Sequence, residues 1–118
     1  MTRLLIPALF ALALSACGGG AGASDGTLEI AVVPKGTTHE FWKAVHAGAE
    51  RAAADLDVDV IWKGPIKEDD RAAQIQVVED FVVRNVDGIV LMPLDRKALV
   101  SPAKEATGRG IPFFIADS

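Results

Sequence analysis

The stretch Leu28–Trp42, LEIAVVPKGTTHEFW, constrains this chain more than any other. It opens with an apolar run, Ile30 to Val33, and breaks at Pro34 and Gly36. A polar turn follows, and a helical pattern begins at about His39. The stretch therefore reads as a first strand, a loop and the start of a helix. In an open α/β sheet, ligands bind outside the carboxyl ends of the strands, where such loops lie.

The same alternation repeats downstream. Strand one, Thr27–Val33, carries a nearly continuous apolar run, which suits a central parallel strand covered on both faces. Helix one is predicted from His39 to Asp55, with Phe41, Val45, Ala49, Ala52 and Leu56 on one stripe expected to face the core. Strand two, about Asp57–Trp62, has a mixed pattern that places it nearer an edge. Gly64-Pro65 ends it. Asp69 or Asp70 caps helix two, which runs to about Asn85 and buries Ile75, Val78 and Val82. Strand three is Ile89–Met92, stopped by Pro93. Asp95 caps a short turn, and a helix restarts at Ser101-Pro102 and ends near Gly108-Arg109-Gly110. Strand four is Ile111–Ala116.

This β-α-β-α-β-α-β order implies a Rossmann-like open parallel α/β sheet with helices on both faces and right-handed crossovers. The expected strand order is 2-1-3-4, with a switch point between strands one and three. The loops Pro34–Glu40 and Met92–Arg96 and the end at Asp117 then converge on one rim, which is the expected site.

The N-terminus reads as delivery. Arg3 precedes an apolar run, Leu4 to Leu14, too short for the roughly 20 residues that span a bilayer. A positive start, a short apolar centre and small residues make a secretory signal. Leu14-Ser15-Ala16-Cys17 resembles the lipobox of bacterial lipoproteins, so residues 1–16 are expected to be removed and Cys17 lipidated, anchoring the chain to a membrane on the periplasmic or extracellular side. The alternative is an ordinary signal peptide with an incidental cysteine. Cys17 is the only cysteine, so no internal disulfide can form. Residues 17–26, ending in GGGAGASDG, form a flexible tether.

Several chemistries are excluded by the residues themselves. A net charge of −4 with no basic block argues against nucleic acid as a partner. His39-Glu40 begins like a zincin helix, but Lys43 stands where the second histidine belongs. His39 and His46 alone make no metal site. Lys35-Gly36-Thr37-Thr38 lacks the spacing of a phosphate loop, no G-x-G-x-x-G follows strand one, and no G-x-S-x-G is present. Strand three ends in Met92-Pro93 rather than a phospho-accepting aspartate. No catalytic constellation remains, and no cofactor or metal is expected.

Three segments carry a resemblance: HEFWKAVHAGAERAAADL, VDGIVLMPLD and the terminal GIPFFIADS. In this order and spacing, behind a lipobox, they resemble the N-terminal lobe of a sugar-type periplasmic solute-binding protein of ABC importers, close to the ribose-binding group. The resemblance implies one lobe of a type I periplasmic binding protein, paired in the full form with a second lobe that closes on a sugar or related polyol. It implies an ABC permease as partner. By position, Phe41 and Trp42 match an aromatic pair that packs on the sugar ring, whose C–H face suits an aromatic face. His39 falls where the family often has a polar residue, commonly Asn. Asp117 matches an aspartate that accepts from sugar hydroxyls. Two positions depart: Ser118 stands where ribose binders have Arg, and Met92 where they have an amide. The implied ligand-binding set is His39, Phe41, Trp42, Met92, Asp117 and Ser118, and the two departures point to the ligand class rather than to ribose.

A two-lobed binder needs roughly twice a domain of this size, so residues 27–118 read as a single, truncated lobe offering one wall of a cleft. Weak or no sugar binding is expected of these 118 residues alone. Two other functions compete. One is a receptor of the same fold coupled to signalling or chemotaxis, separable by its gene neighbours. The other is a small flavodoxin-like enzyme, which a copurifying flavin or nucleotide would reveal.

Overall fold

The computed structural model describes residues 26–118. The signal segment, Cys17 and nearly all of the tether lie outside the described residues. The elements in chain order are β1 (Glu29–Val33), α1 (Glu40–Leu56), β2 (Asp59–Trp62), α2 (Arg71–Arg84), β3 (Gly88–Leu91), α3 (Val100–Gly108) and β4 (Phe113–Ile115). All strand pairs are parallel, and the sheet order is β2-β1-β3-β4, as the alternation predicts. Ile30 pairs with Val60 on one side and Gly88 on the other, so β1 is central and its apolar continuity is accounted for.

Side chains alternate across the sheet with a period of two. Ala31 and Val33 join Ile89 and Leu91 in a core filled by Val78, Phe81 and Val82 of α2. Each large side chain fully buried there contributes about 1.5–3 kcal/mol. On the opposite face, Val32 packs with Trp42 and Met92. That second cluster reaches the site at the carboxyl ends of the strands through Trp42.

The caps explain the boundaries. Asp70, not Asp69, starts α2: its side chain accepts from the Ala73 amide at 3.0 Å. Asp57 and Asn85 close α1 and α2 in the left-handed region, with φ of 54° and 58°. Because Asp57 is spent on that cap, β2 begins at Asp59 rather than at Asp57. Asp95 Oδ1 accepts from the Lys97 and Ala98 amides, both at 2.9 Å, and organises the turn before α3. β4 is shorter than Ile111–Ala116 because Pro112 has no amide to pair; its carbonyl still accepts from Ile89.

The phase of α1 differs from the expected stripe. Trp42 and Ala53 are its buried residues, whereas Phe41 is 53% and Leu56 71% exposed. The inward line runs through Trp42, Val45, Ala49 and Ala53, one residue from the predicted phase at each end. The larger indole takes the inward position and turns Phe41 out.

Candidate ligand-binding site

The rim is built from beneath. Gln74, on α2, is completely buried. Its amide nitrogen donates to the carbonyls of Pro34 (2.9 Å) and Met92 (2.8 Å), and its oxygen accepts from the Leu94 amide at 2.8 Å. A single side chain thus satisfies backbone groups just past the ends of β1 and β3 that the ladder leaves unpaired. Pro34 is itself fully buried. The first turn of each loop is fixed before any ligand arrives.

Lys35 follows Pro34 and reaches across the rim. Its Nζ donates to Asp117 Oδ2 at 3.1 Å. Asp117 has φ of 49°, a left-handed conformation that Asp tolerates better than most residues. Lys35 and Asp117 each stand two positions beyond a strand, β1 and β4 respectively.

The helix start supplies the aromatic side. His39 is the N-cap of α1, and its Nδ1 accepts from the Phe41 amide at 3.2 Å. In the neutral ring the proton is therefore on Nε2. Phe41 meets Trp42 edge to face, with ring centroids 4.9 Å apart and an angle of 80°. Trp42 is only 3% exposed, packed with Val32 and Met92, and its Nε1 donates to Glu68 Oε1 at 2.7 Å. Phe41 therefore offers a face to solvent, while Trp42 offers little more than an edge.

Glu68 arrives on the β2–α2 loop. Thr37 and Thr38 hydroxyls donate to the carbonyls of Pro65 (3.4 Å) and Ile66 (3.2 Å), binding that loop to the β1–α1 loop. The approach is close: a Cβ at Gly36 would lie 2.6 Å from Glu68 Cγ, so any larger residue there would displace the Glu68 side chain.

Lys35, His39, Phe41, Trp42, Glu68 and Asp117 together line one open depression of about 330 Å³. That is within the size range of small-molecule sites. Four expected residues thus come together there: His39, Phe41, Trp42 and Asp117. Met92 does not line it: its side chain, 5% exposed, borders a separate apolar hollow of about 320 Å³ with Val32, Val45 and Val90, and its carbonyl is held by Gln74. Ser118 lines a separate apolar hollow of about 270 Å³ with Pro93, Arg96, Leu99 and Ile115. Lys35 and Glu68 were not anticipated. The mirrored positions of Lys35 and Asp117 past two strand ends are a signal that could have found the first. Glu68 has no comparable signal, because its role depends on a ring 26 residues away.

Asp95, on the neighbouring β3–α3 loop, is held below the usual carboxylate range, first by the Ala98 amide and then by its hydrogen bond from Arg71 at 2.6 Å. Among the described residues, no group of three His, Cys, Asp or Glu is placed to hold a metal ion.

Comparison with known proteins decides the family. Residues 30–118 match the periplasmic binding protein domain. The chain belongs to this family. Among its relatives, the D-ribose/D-allose-binding protein of Pseudomonas aeruginosa is 35% identical over 92 residues, covering 75% of this chain and 28% of that protein. The D-allose-binding periplasmic protein of Escherichia coli K12 is 38% identical over 84 residues, covering 70% of this chain and 27% of that one. Among solved structures, a carbohydrate transporter solute-binding protein from Agrobacterium radiobacter in complex with D-arabinose superposes with a TM-score of 0.73 at 35% identity, covering 80% of this chain and 33% of that one. An ABC transporter solute-binding protein from Agrobacterium vitis with bound D-fucose gives 0.71 at 39% identity, covering 74% and 30%. This periplasmic binding protein domain therefore spans a third or less of each of these four relatives.

Proposed function

We propose that residues 27–118 are the N-terminal lobe of an extracytoplasmic solute receptor that binds a sugar or related polyol, without chemistry, and serves an ABC importer. Residues 1–16 act as a lipoprotein signal, Cys17 carries the lipid, and residues 17–26 hold the lobe off the membrane. The binding set is His39, Phe41, Trp42 and Asp117, to which the geometry adds Lys35.

One observation carries this reading. An exposed aromatic face and a charged donor–acceptor pair meet in a single depression at the carboxyl ends of β1 and β4. A sugar ring has apolar C–H faces and a hydroxyl rim, and this arrangement answers both. Phe41 takes the face. Lys35 donates and Asp117 accepts at the rim. The depression is open on its far side, and in the two-lobed form a second lobe closes it. The relatives named for allose, ribose, arabinose and fucose support the ligand class.

A thermal-shift screen of the mature full-length protein against pentoses, hexoses, inositols and nucleosides tests the reading. A ligand at a hundred times its Kd adds about 2.7 kcal/mol, which raises Tm by several degrees. A shift with one sugar fixes the class. A cooperatively folded protein whose Tm no sugar or polyol moves would overturn it.

A further inference from the structure

We infer that Glu68 is a specificity-determining residue of this depression, whose second carboxylate oxygen accepts a hydrogen bond from a ligand hydroxyl. The inference rests on the reading of the depression as a polyol site. It adds a contact from a third loop, the one between β2 and α2.

The argument begins with what Trp42 requires. A buried indole N–H needs one acceptor, and a neutral amide or a backbone carbonyl would serve. The chain supplies a carboxylate instead. Glu68 Oε1 accepts from Trp42 Nε1 at 2.7 Å, and Oε2 makes no hydrogen bond with the described residues. Glu68 lines the depression together with Lys35 and Asp117. A carboxylate is acceptor-only and holds about four lone-pair sites, so one indole leaves most of its capacity unused.

Second, the loop that carries Glu68 is fastened. The bonds from Thr37 and Thr38 fix Pro65 and Ile66, just upstream. Asp70, just downstream, is held as the N-cap of α2. Gly36 leaves room for the Glu68 stem at the closest point. The carboxylate is thus pinned by the indole and anchored on both sides in sequence, which is the preorganisation that makes a polar contact selective.

Third, the charges fit a neutral ligand. Lys35 is already paired with Asp117. Glu68 makes the second carboxylate against one ammonium, so the depression favours hydroxyl donors over anionic groups.

The experiment uses the mature full-length protein titrated calorimetrically with D-allose, D-ribose, D-arabinose and D-fucose, and the tightest of these is carried forward. Glu68→Gln keeps the shape and an acceptor for Trp42 but replaces the free oxygen with a donor. Its affinity is expected to fall about tenfold, the scale of a lost charge-assisted bond. Its Tm and the ring-carbon resonances of Trp42 are expected to stay in place, while the indole N–H resonance moves modestly as its acceptor loses charge. Glu68→Ala should weaken binding as well and also move the ring-carbon resonances. Asp117→Asn serves as the control. If Asp117→Asn weakens binding and Glu68→Gln does not, the inference fails and the site stands. If Glu68→Gln moves the Trp42 ring-carbon resonances along with the affinity, Glu68 acts through the placement of Trp42 and the direct contact is refuted. If the unsubstituted protein binds none of the four sugars, the reading of the site fails and this inference falls with it.

Discussion

Lys35 and Asp117 are 82 residues apart in the chain and 3.1 Å apart in the fold. The pair joins the loop after β1 to the segment after β4, spanning the carboxyl edge of β3 between them. Both side chains are partly exposed, so the pair contributes little to stability, about 0.2–1 kcal/mol. Its value lies in holding a donor and an acceptor ready at fixed positions.

Asp117→Ala should therefore separate binding from folding. Sugar affinity in the full-length protein is expected to drop by at least about tenfold, the loss of one charge-assisted contact. The urea midpoint should move by no more than about 1 kcal/mol equivalent. Calorimetric titration and urea unfolding on the same preparation check both. A midpoint shift several times larger would mean that the ion pair is structural.

Gln74→Leu is expected to behave in the opposite way. It removes one side chain and strands two carbonyls and one amide in the interior. Each orphaned group costs about 1–3 kcal/mol, so a loss of about 3 kcal/mol or more is expected from urea unfolding. Gln74→Glu should be worse at neutral pH, because a carboxylate would face two carbonyl oxygens. That variant would recover in part on acidification, as protonation restores one donor of the two.

Two glycines at the loop junction make a graded pair. A Cβ at Gly64 would sit 2.8 Å from the ring of buried Pro34 and 2.9 Å from its carbonyl oxygen. A Cβ at Gly36 would meet the stem of Glu68, which can swing aside. Gly64→Ala should cost about 1–3 kcal/mol, as overpacking does, and Gly36→Ala less. Thermal melts of the two variants rank them. Gly36→Ala should also disturb the Trp42 indole resonance, since the displaced group is its acceptor.

The depressed pKa of Asp95 gives a pH dependence with a definite sign. Its folded value lies below the ordinary 3.8, chiefly through the Ala98 amide and the Arg71 hydrogen bond. The stabilisation is fully present above about pH 4 and fades as pH falls through the folded value. Asp95→Ala should be less stable than the unsubstituted protein at neutral pH, and the gap should narrow on acidification below pH 4. Urea midpoints measured from pH 7 down to pH 3 test this. A gap that stays constant across the range would assign the Asp95 effect to something other than its charge.

The sheet was legible because its signals are local. A continuous apolar run marks Ile30–Val33 as central, and a mixed one marks β2 as an edge. Turn and cap residues sit beside the elements they end, so Asn85 and Gly110 could be read in place and the cap of α2 narrowed to Asp69 or Asp70. The phase of α1 could not. Phe41 and Trp42 are adjacent, about 100° apart around the helix, and either could lead inward. The sheet beneath and the acceptor on Glu68 decide for Trp42, and both lie elsewhere in the sequence. Glu68 was illegible for the same reason, and Lys35 was signalled only by a position past β1 that mirrors Asp117 past β4. A charged side chain in a loop declares a role only when its partner is known, and the partners are 82 and 26 residues away.

The buried amide of Gln74 ties the ligand wall to the protein interior. The helix that carries it also supplies Val77, Val78, Phe81 and Val82 to the main core. Repacking that core would tilt α2 and shift the ends of β1 and β3 together, because both hang from one side chain. On the proposed reading, changes of ligand preference would fall on the outer side chains at Lys35, Phe41, Glu68 and Asp117, none of which holds the Gln74 frame. The frame beneath them evolves as one unit or not at all.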